Sequence, residues 1–244
     1  MSGPEARLHL LTLSHPCLTA KAALDRKGVA YEEVVMPMGE HHDQMEEIYG
    51  EGNQTVPGLT IDGEKVHGST AIQARLEELF PENPLYPDPI AERVREAELW
   101  GDGDYQDLGR RLPWSALHFR PEATGTFAGA GPLDPAGVDF AIQTIRSSWK
   151  YHSITAERTA SDLAALPEMV DRIEGFADEG LIGGEDPTAA DFQIGATTRI
   201  LLTIGDLEPV FEGTAAREVA LRHFPDYPGA VPAGAWPDGW VRPR

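Results

Sequence analysis

Four short stretches carry side chains that could do chemistry. Ser14 and Cys17, in Ser14-His15-Pro16-Cys17, follow a strand-like run, RLHLLTL (7–13), and precede a helix-like one, LTAKAALDRKG (18–28). A hydroxyl and the chain's single thiol therefore sit where a strand turns into a helix. Unpaired N–H groups and the positive end of the helix dipole favour an anion there, and such sites lower a thiol pKa from ~8.5 by one to several units. Three readings stay open on local pattern. Ser14 donates to the thiolate of a bound thiol cofactor, or Cys17 is itself a nucleophile, or Ser14 caps the helix and Cys17 packs in the core.

The second stretch is TVPGL (55–59). A cis bond at Val56-Pro57 would turn the Val56 N–H and C=O outward as a donor–acceptor pair for an extended, peptide-like ligand. A trans proline opening a strand is the plain alternative. In the third, HGSTAI (67–72), the Ser69 hydroxyl and the first helical N–H groups form an anion site suited to a carboxylate, or simply a cap. The fourth is His41 and His42, which point to different faces and have no further ligands at a metal spacing, so no metal centre is expected.

The elements that must position these residues are legible in the first 80 positions. Strand-like 7–13 leads to a helix that stops at Gly28, a natural C′ residue. YEEVV (31–35) is a second strand and 43–49 a short helix. GLTIDGEKVH (58–67) is two strands around Asp62-Gly63, a strong hairpin signal. Ser69 then caps a helix with Ile72, Leu76 and Leu79 on one face. The order β-α-β-α-β-β-α requires a parallel pair at the start and adds an antiparallel edge at the end. FPENPLYPDP (80–89), with four prolines in ten residues, is a linker. Beyond it the pattern is helical, with Ile142, Ile145 and Trp149 on one stripe and Leu163, Leu166, Val170, Ile173 and Phe176 on another. Residues 124–137 read as a loop. Thr188 with Asp191 three residues on is a variant capping box. The tail from Pro225 reads as irregular, packing through Trp236 and Trp240. The expected organisation is 1–80, a linker at 81–89, an all-helical domain at 90–224 and the tail at 225–244.

The net charge of −20 repels phosphate backbones and anionic lipid, so neither nucleic acid nor membrane is an expected partner. Any anionic ligand must be caught by local donors against that field. No apolar run approaches the ~18 residues of a membrane helix, the first residues lack the plan of a signal peptide, and one free cysteine suits a reducing compartment. A cytoplasmic protein is expected. Sixteen Arg against four Lys, with abundant Ala, Gly and Pro, suggest a GC-rich genome.

Taken in order, strand–SHPC–helix, TVPGLTIDGEKV and GSTAI resemble the thioredoxin-like N-terminal domain of the glutathione transferase superfamily, with SHPC closest to the theta-like Ser-x-Pro-Cys pattern of bacterial members. YPDPIAERVREAELW (86–100) and GGEDPTAADFQIG (183–195) resemble the start of that family's helical domain and its buried Thr-x-x-Asp segment. The resemblance covers roughly residues 7–205 and implies an α/β thioredoxin-like domain followed by an all-α bundle. It implies that Pro57 is cis and that Val56 pairs with the cysteinyl backbone of glutathione. By the same resemblance Ser69, with Thr70 beside it, binds the γ-glutamyl carboxylate, Ser14 activates the thiol, and His41 or His42 contacts the glycyl end. Trp100 and Tyr105 become candidates for lining a pocket for a small apolar electrophile, and a homodimer active in detoxification is expected. Two positions depart from the family. Gly68 stands where many members have an acid that pairs with the glutathione amino group, and Thr55 where some have a lysine. Two lost charge contacts weaken binding ~10- to 100-fold or point to another thiol such as mycothiol, which lacks the γ-glutamyl group. Two other functions compete with conjugation: a Cys17-based glutaredoxin-like or thiol-lyase activity, and a non-catalytic interaction module on the same fold.

Overall fold

The alternating apolar residues of RLHLL become β1 (Ala6–Leu10) in the computed structural model, which describes residues 3–242 and 244. Along the chain follow α1 (His15–Arg26), β2 (Glu32–Val35), α2 (His41–Tyr49), β3 (Gly58–Ile61), β4 (Glu64–His67), α3 (Ser69–Leu79) and α4 (Ala91–Trp100). A π turn (Gly101–Tyr105) leads into α5 (Gln106–Phe119). Then come α6 (Thr124–Phe127), α7 (Pro135–Tyr151), α8 (Ala156–Asp178), α9 (Ala189–Leu201), α10 (Glu208–Phe211) and α11 (Ala215–His223). Two compact units result: residues up to Asp102 together with Leu181–Ala196, and Gly103–Gly180 together with the chain from Thr197. The division does not fall at the proline-rich segment: Gln73 of α3 donates to Glu98 of α4 at 2.8 Å, and the first residue of α9 bonds back to Leu85 (Ala189 N–H to Leu85 C=O, 2.9 Å).

In the first unit the sheet order is β2-β1-β3-β4, with β1·β2 parallel and the other two pairs antiparallel. The hairpin turns on Asp62 (φ 47°) and Gly63 (φ 85°), the two positive-φ residues that a two-residue turn of matching twist requires. Leu8, Leu10, Leu59 and Ile61 are buried beneath α1 and α3, whose Ala20, Leu24, Ile72 and Leu76 are fully buried. Side chains on the intervening positions point to the other face. There the Tyr49 hydroxyl of α2 meets His9 Nδ1 at 2.7 Å, and its ring lies where a Cβ on Gly58 would stand, 2.3 Å away. Gly58 is thus a close-approach glycine that lets α2 seat on the sheet. Burial of the Tyr49 phenol pushes its pKa up to about 12.

Several local expectations are refined. α1 ends as read, with Gly28 at φ 65°, but its other end is uncapped by side chain: Ser14 occupies the N-cap position without a side-chain cap bond. The N-cap of α3 is Gly68 (φ 92°), not Ser69, which takes the first helical position, and Leu79 is exposed. β1 is shorter than 7–13 because the chain turns at Leu11, whose carbonyl accepts the Ser14 N–H at 3.0 Å. Residues 124–137 are not one loop. α6 occupies the start, and α7 begins at Pro135, where Asp134 accepts the Gly137 N–H at 2.7 Å.

In the second unit the stripe Leu163, Leu166, Val170, Ile173 and Phe176 is buried on α8, which contacts α5, α10 and α11. Arg111 of α5 forks onto both carboxylate oxygens of Asp162 (2.7 and 3.0 Å). The tail is tied down through backbone and indole. Val231 bridges to Ile204, the Asp206 carboxylate accepts the Gly234 and Ala235 N–H groups, and Trp236 Nε1 donates to Ser115 Oγ at 2.9 Å. Trp240 lies against Phe119.

The start of α9 is held by Asp191, fully buried. Its carboxylate accepts the Gly183 N–H (2.7 Å), the Thr188 N–H (2.8 Å) and the Thr188 hydroxyl (3.1 Å). Asp191→Ala takes away the acceptor of the Gly183 and Thr188 N–H groups, while the Thr188 hydroxyl keeps the Leu181 carbonyl at 2.8 Å, and is expected to cost ~2–4 kcal/mol. Denaturant unfolding checks this, with Asp191→Asn retaining part of the loss. Glu98 of α4 is also fully buried, and burial raises its pKa to about 7, against Arg95 and the Tyr86 hydroxyl, which pull it down, and with Asp102, which pushes it up. Between pH ~4.5 and ~7 the folded state keeps a proton that the unfolded state has released, so this group's contribution to stability is lost as pH rises through that window. Glu98→Gln removes the effect. The variant's melting temperature is expected to gain on the parent's from pH 5 to about pH 7 and to level off above it, and a difference independent of pH would rule the explanation out.

Candidate functional site

Strand register gathers the chemistry-bearing stretches. His9 of β1 pairs with Gly58 of β3, and Gly58 pairs with His67 of β4. The exit of β1, the entry of β3 and the exit of β4 therefore lie at one edge of the sheet, and these lead to Ser14, from Val56-Pro57, and to Ser69. The Gly68 N–H donates to the Pro57 carbonyl at 3.0 Å, fixing the start of α3 beside the proline. β2 ends at the same edge, since Val35 pairs in parallel with Leu10, and it leads to His41 and His42. Neighbouring strands are ~4.8 Å apart, so the three ends span ~10 Å, the reach of an extended tripeptide.

The Val56-Pro57 bond is cis. Val56 is half-buried, and neither its N–H nor its C=O has a hydrogen-bond partner among the described residues. That leaves a donor and an acceptor at the edge for strand-like pairing. Pro57 is buried. His42 Nδ1 lies 2.8 Å from the Gln54 carbonyl, which ties α2 to this segment, and the His42 ring packs 4.0 Å from that of His41. His41 is buried, and burial lowers its pKa, so its ring stays neutral. Thr55 is exposed, and its carbonyl meets His67 Nε2 at 2.7 Å.

Ser14 is half-buried at the start of α1, and Cys17 one turn on is 2 % exposed. Burial pushes the Cys17 thiol up to about 11, and the Ser14 hydroxyl, which hydrogen-bonds the sulfur, only partly offsets this. The helix start thus does not make a thiolate of Cys17. The local pattern shows a thiol on a first turn, while the fold points it into the core, where the charged form is costly.

At the start of α3 the Ser69 hydroxyl is buried and Thr70 is half-buried. Ser69 Oγ lies 3.5 Å from Asp102 Oδ1, and Gln193 Nε2 reaches the same oxygen at 3.3 Å. One turn on along α3 and one turn back from Asp102 into α4, Gln73 Nε2 donates to Glu98 Oε1 at 2.8 Å. Two polar rungs thus join α3 to α4 and to the π turn that follows it. Sequence reasoning missed Asp102 and Gln193. They lie 33 and 124 positions from Ser69, and the only signal was Glu98 and Asp102 four apart on one helical run. Trp100 is buried. Tyr105 is fully buried in the second unit with its hydroxyl 2.8 Å from Thr198 Oγ1. Among the described residues no group of three or more His, Cys, Asp or Glu is arranged to hold a metal, and no helix is long and apolar enough to cross a membrane.

Comparison with known proteins agrees with this architecture. Residues 8–84 match the family described as "Glutathione S-transferase, N-terminal domain". Glutaredoxin 1 of Rickettsia conorii is 35% identical over 81 residues, 31% of this chain and 79% of that protein. The structure of beta-etherase LigF from Sphingobium sp. strain SYK-6 superposes with a TM-score of 0.59 at 21% identity, covering 91% of this chain and 96% of that one. A glutathione transferase homologue from Drosophila mojavensis, solved with bound glutathione, superposes with a TM-score of 0.55 at 16% identity over 92% and 89% of the two chains. Residues 8–84 thus belong to the glutathione S-transferase N-terminal domain family, and the chain as a whole has the fold of these solved relatives.

Proposed function

We propose that the chain is a glutathione-transferase-type enzyme that holds the glutathione thiol as a thiolate and directs it at a small apolar electrophile. The observation that carries the reading is the convergence of Ser14, the open Val56 backbone and Ser69 at one sheet edge. The bound peptide would pair with Val56 N–H and C=O as an added strand. Its γ-glutamyl carboxylate would rest on Ser69, Thr70 and the first-turn N–H groups of α3, and its glycyl end would lie toward His42. A solved relative with glutathione bound lends support to this choice of thiol.

Ser14 is suited to the chemistry because a hydroxyl carries one proton and two acceptor lone pairs. Cys17, kept protonated by burial, does not need the Ser14 hydroxyl as a donor, so the Ser14 O–H can turn to the bound sulfur. A hydrogen bond to the charged form lowers the pKa of the bound thiol. The thiolate then attacks the electrophilic carbon. A C–S bond forms, and the electron pair leaves with the displaced group or is taken up by a proton from water. We read the enzyme as a cytoplasmic homodimer acting in detoxification, in line with the resemblance of its sequence.

Two experiments test this. Ser14→Ala is expected to lower kcat with glutathione and a chlorodinitrobenzene about 100-fold, the scale for losing one donor to a developing or held anion, while affinity for S-methylglutathione stays within ~3-fold. An unchanged kcat would remove Ser14 from the mechanism. The likeness to a glutaredoxin keeps the Cys17-based reaction as the competing reading. With its pKa near 11, Cys17 is almost wholly protonated at pH 7.5, whereas an ordinary thiol is ~10% thiolate. Iodoacetamide is therefore expected to alkylate the native protein at least 100-fold more slowly than the unfolded chain. Rapid labelling of the native protein would favour Cys17 as the nucleophile.

A further inference from the structure

We propose that the outer face of α7 is a self-association surface, on which α7 of a second copy of this chain lies antiparallel. The inference goes beyond the homodimer read above, which names no surface, and it is independent of the thiol chemistry.

The inner side of α7 is committed to its own unit. Ala141 and Ile145 are buried, Trp149 Nε1 donates to the Trp114 carbonyl of α5 at 3.0 Å, and the Trp149 ring stacks 4.0 Å from that of His118. Asp134 caps the first turn. A well-anchored helix thus holds its other side in solvent. On that side Phe140 and Tyr151 are 74 % and 52 % exposed, and Phe140 is the most exposed large apolar side chain among the described residues. A lone exposed ring means little, but these two share one row of one helix.

At 3.6 residues per turn the exposed positions of α7 fall into three rows. Asp139, Arg146 and Lys150 form a charged row, and among the described residues none of the three has a salt-bridge partner. Ala136, Gln143 and Ser147 form an uncharged middle row. Phe140 and Tyr151 form an aromatic row, with half-buried Thr144 between them. A two-fold axis between antiparallel helices sets like rows against each other with their ends exchanged. Asp139 of each copy then meets Lys150 of the other, and Phe140 of each meets Tyr151 of the other. Centred on Ile145, both pairings hold to within one residue, ~1.5 Å along the axis. The short side chains of Thr144 and Ser147 lie at that centre, where the helices come closest.

The charge of the chain also favours this face. Two copies at −20 repel, so they can meet only where the local charge is not negative. α7 carries one acid against two bases, whereas α8, next along the chain, carries six acids against two arginines. One helix face ~25 Å long offers less than the ~800 Å² per partner of a standard interface. The contact is therefore weak and concentration-dependent.

The test is sedimentation velocity of the full chain at rising concentration, up to ~200 μM, after thermal unfolding shows each variant folded. The parent is expected to associate. Phe140→Asp should halve the mass of its largest species or raise the dissociation constant at least ~10-fold. Asp139→Lys and Lys150→Asp, tested singly, should each weaken association about 10-fold, because each sets like charges opposite one another twice. Mixed in equal amounts, these two variants should recover the parent's affinity to within ~3-fold, since the mixed pair has opposite charges at both ends. A parent that stays monomeric throughout overturns the inference and the homodimer together. Association that all three variants leave unchanged overturns the α7 surface and leaves the homodimer in place, as does a failure of the two charge variants to recover on mixing.

Discussion

The pairing of β3 with its two neighbours is the constraint on which the site depends. Antiparallel register sets His9 opposite Gly58 and Gly58 opposite His67, so that three chain segments, far apart in sequence, leave the sheet at one edge. The Asp62-Gly63 turn fixes one of these registers, and the burial of Leu59 and Ile61 fixes the other. A slip of one residue would turn both side chains to the opposite face. Gly58 belongs to the same constraint, because only a residue without a Cβ allows Tyr49 to lie over the strand and α2 to bring His42 to the Gln54 carbonyl. Register thus decides at once where the core is and where a ligand can lie.

Buried carboxylates mark the other half of the first unit, and each is handled differently. Asp191 is surrounded by donors from Gly183 and Thr188 and serves as a structural anchor. Glu98 has Tyr86, Arg95 and Gln73 around it, yet its loss of water outweighs them, and it holds a proton near neutrality. Asp102, half-buried at the end of the same helix, keeps one oxygen within reach of Ser69 and Gln193. In an acidic chain such positions are set by local geometry, since the overall field opposes them all.

The pair Ser14 and Cys17 shows how far a motif can be read. Both stand at the start of a helix, and the dipole argument applies to both. Burial separates them: Cys17 points into the core and its thiol is raised, while Ser14 stays half-exposed at the edge. Pattern alone could not choose between hydroxyl and thiol, because the choice turns on which side chain is desolvated.

By itself the sequence determined what short-range chemistry controls. The hairpin at Asp62-Gly63, the stop of α1 at Gly28, the Thr188–Asp191 box and the buried stripe of α8 each follow from a few adjacent residues whose backbone or periodicity admits one solution. The order of motifs from SHPC to GSTAI also carried the fold and the residues gathered at the edge. The tertiary structure decided what depends on approach between distant segments. It put Gly68 rather than Ser69 at the cap, buried Tyr105 against Thr198, tied the tail through Trp236, and brought Asp102 to Ser69 across 33 residues. Those contacts arise from how helices close on one another, which no local propensity encodes.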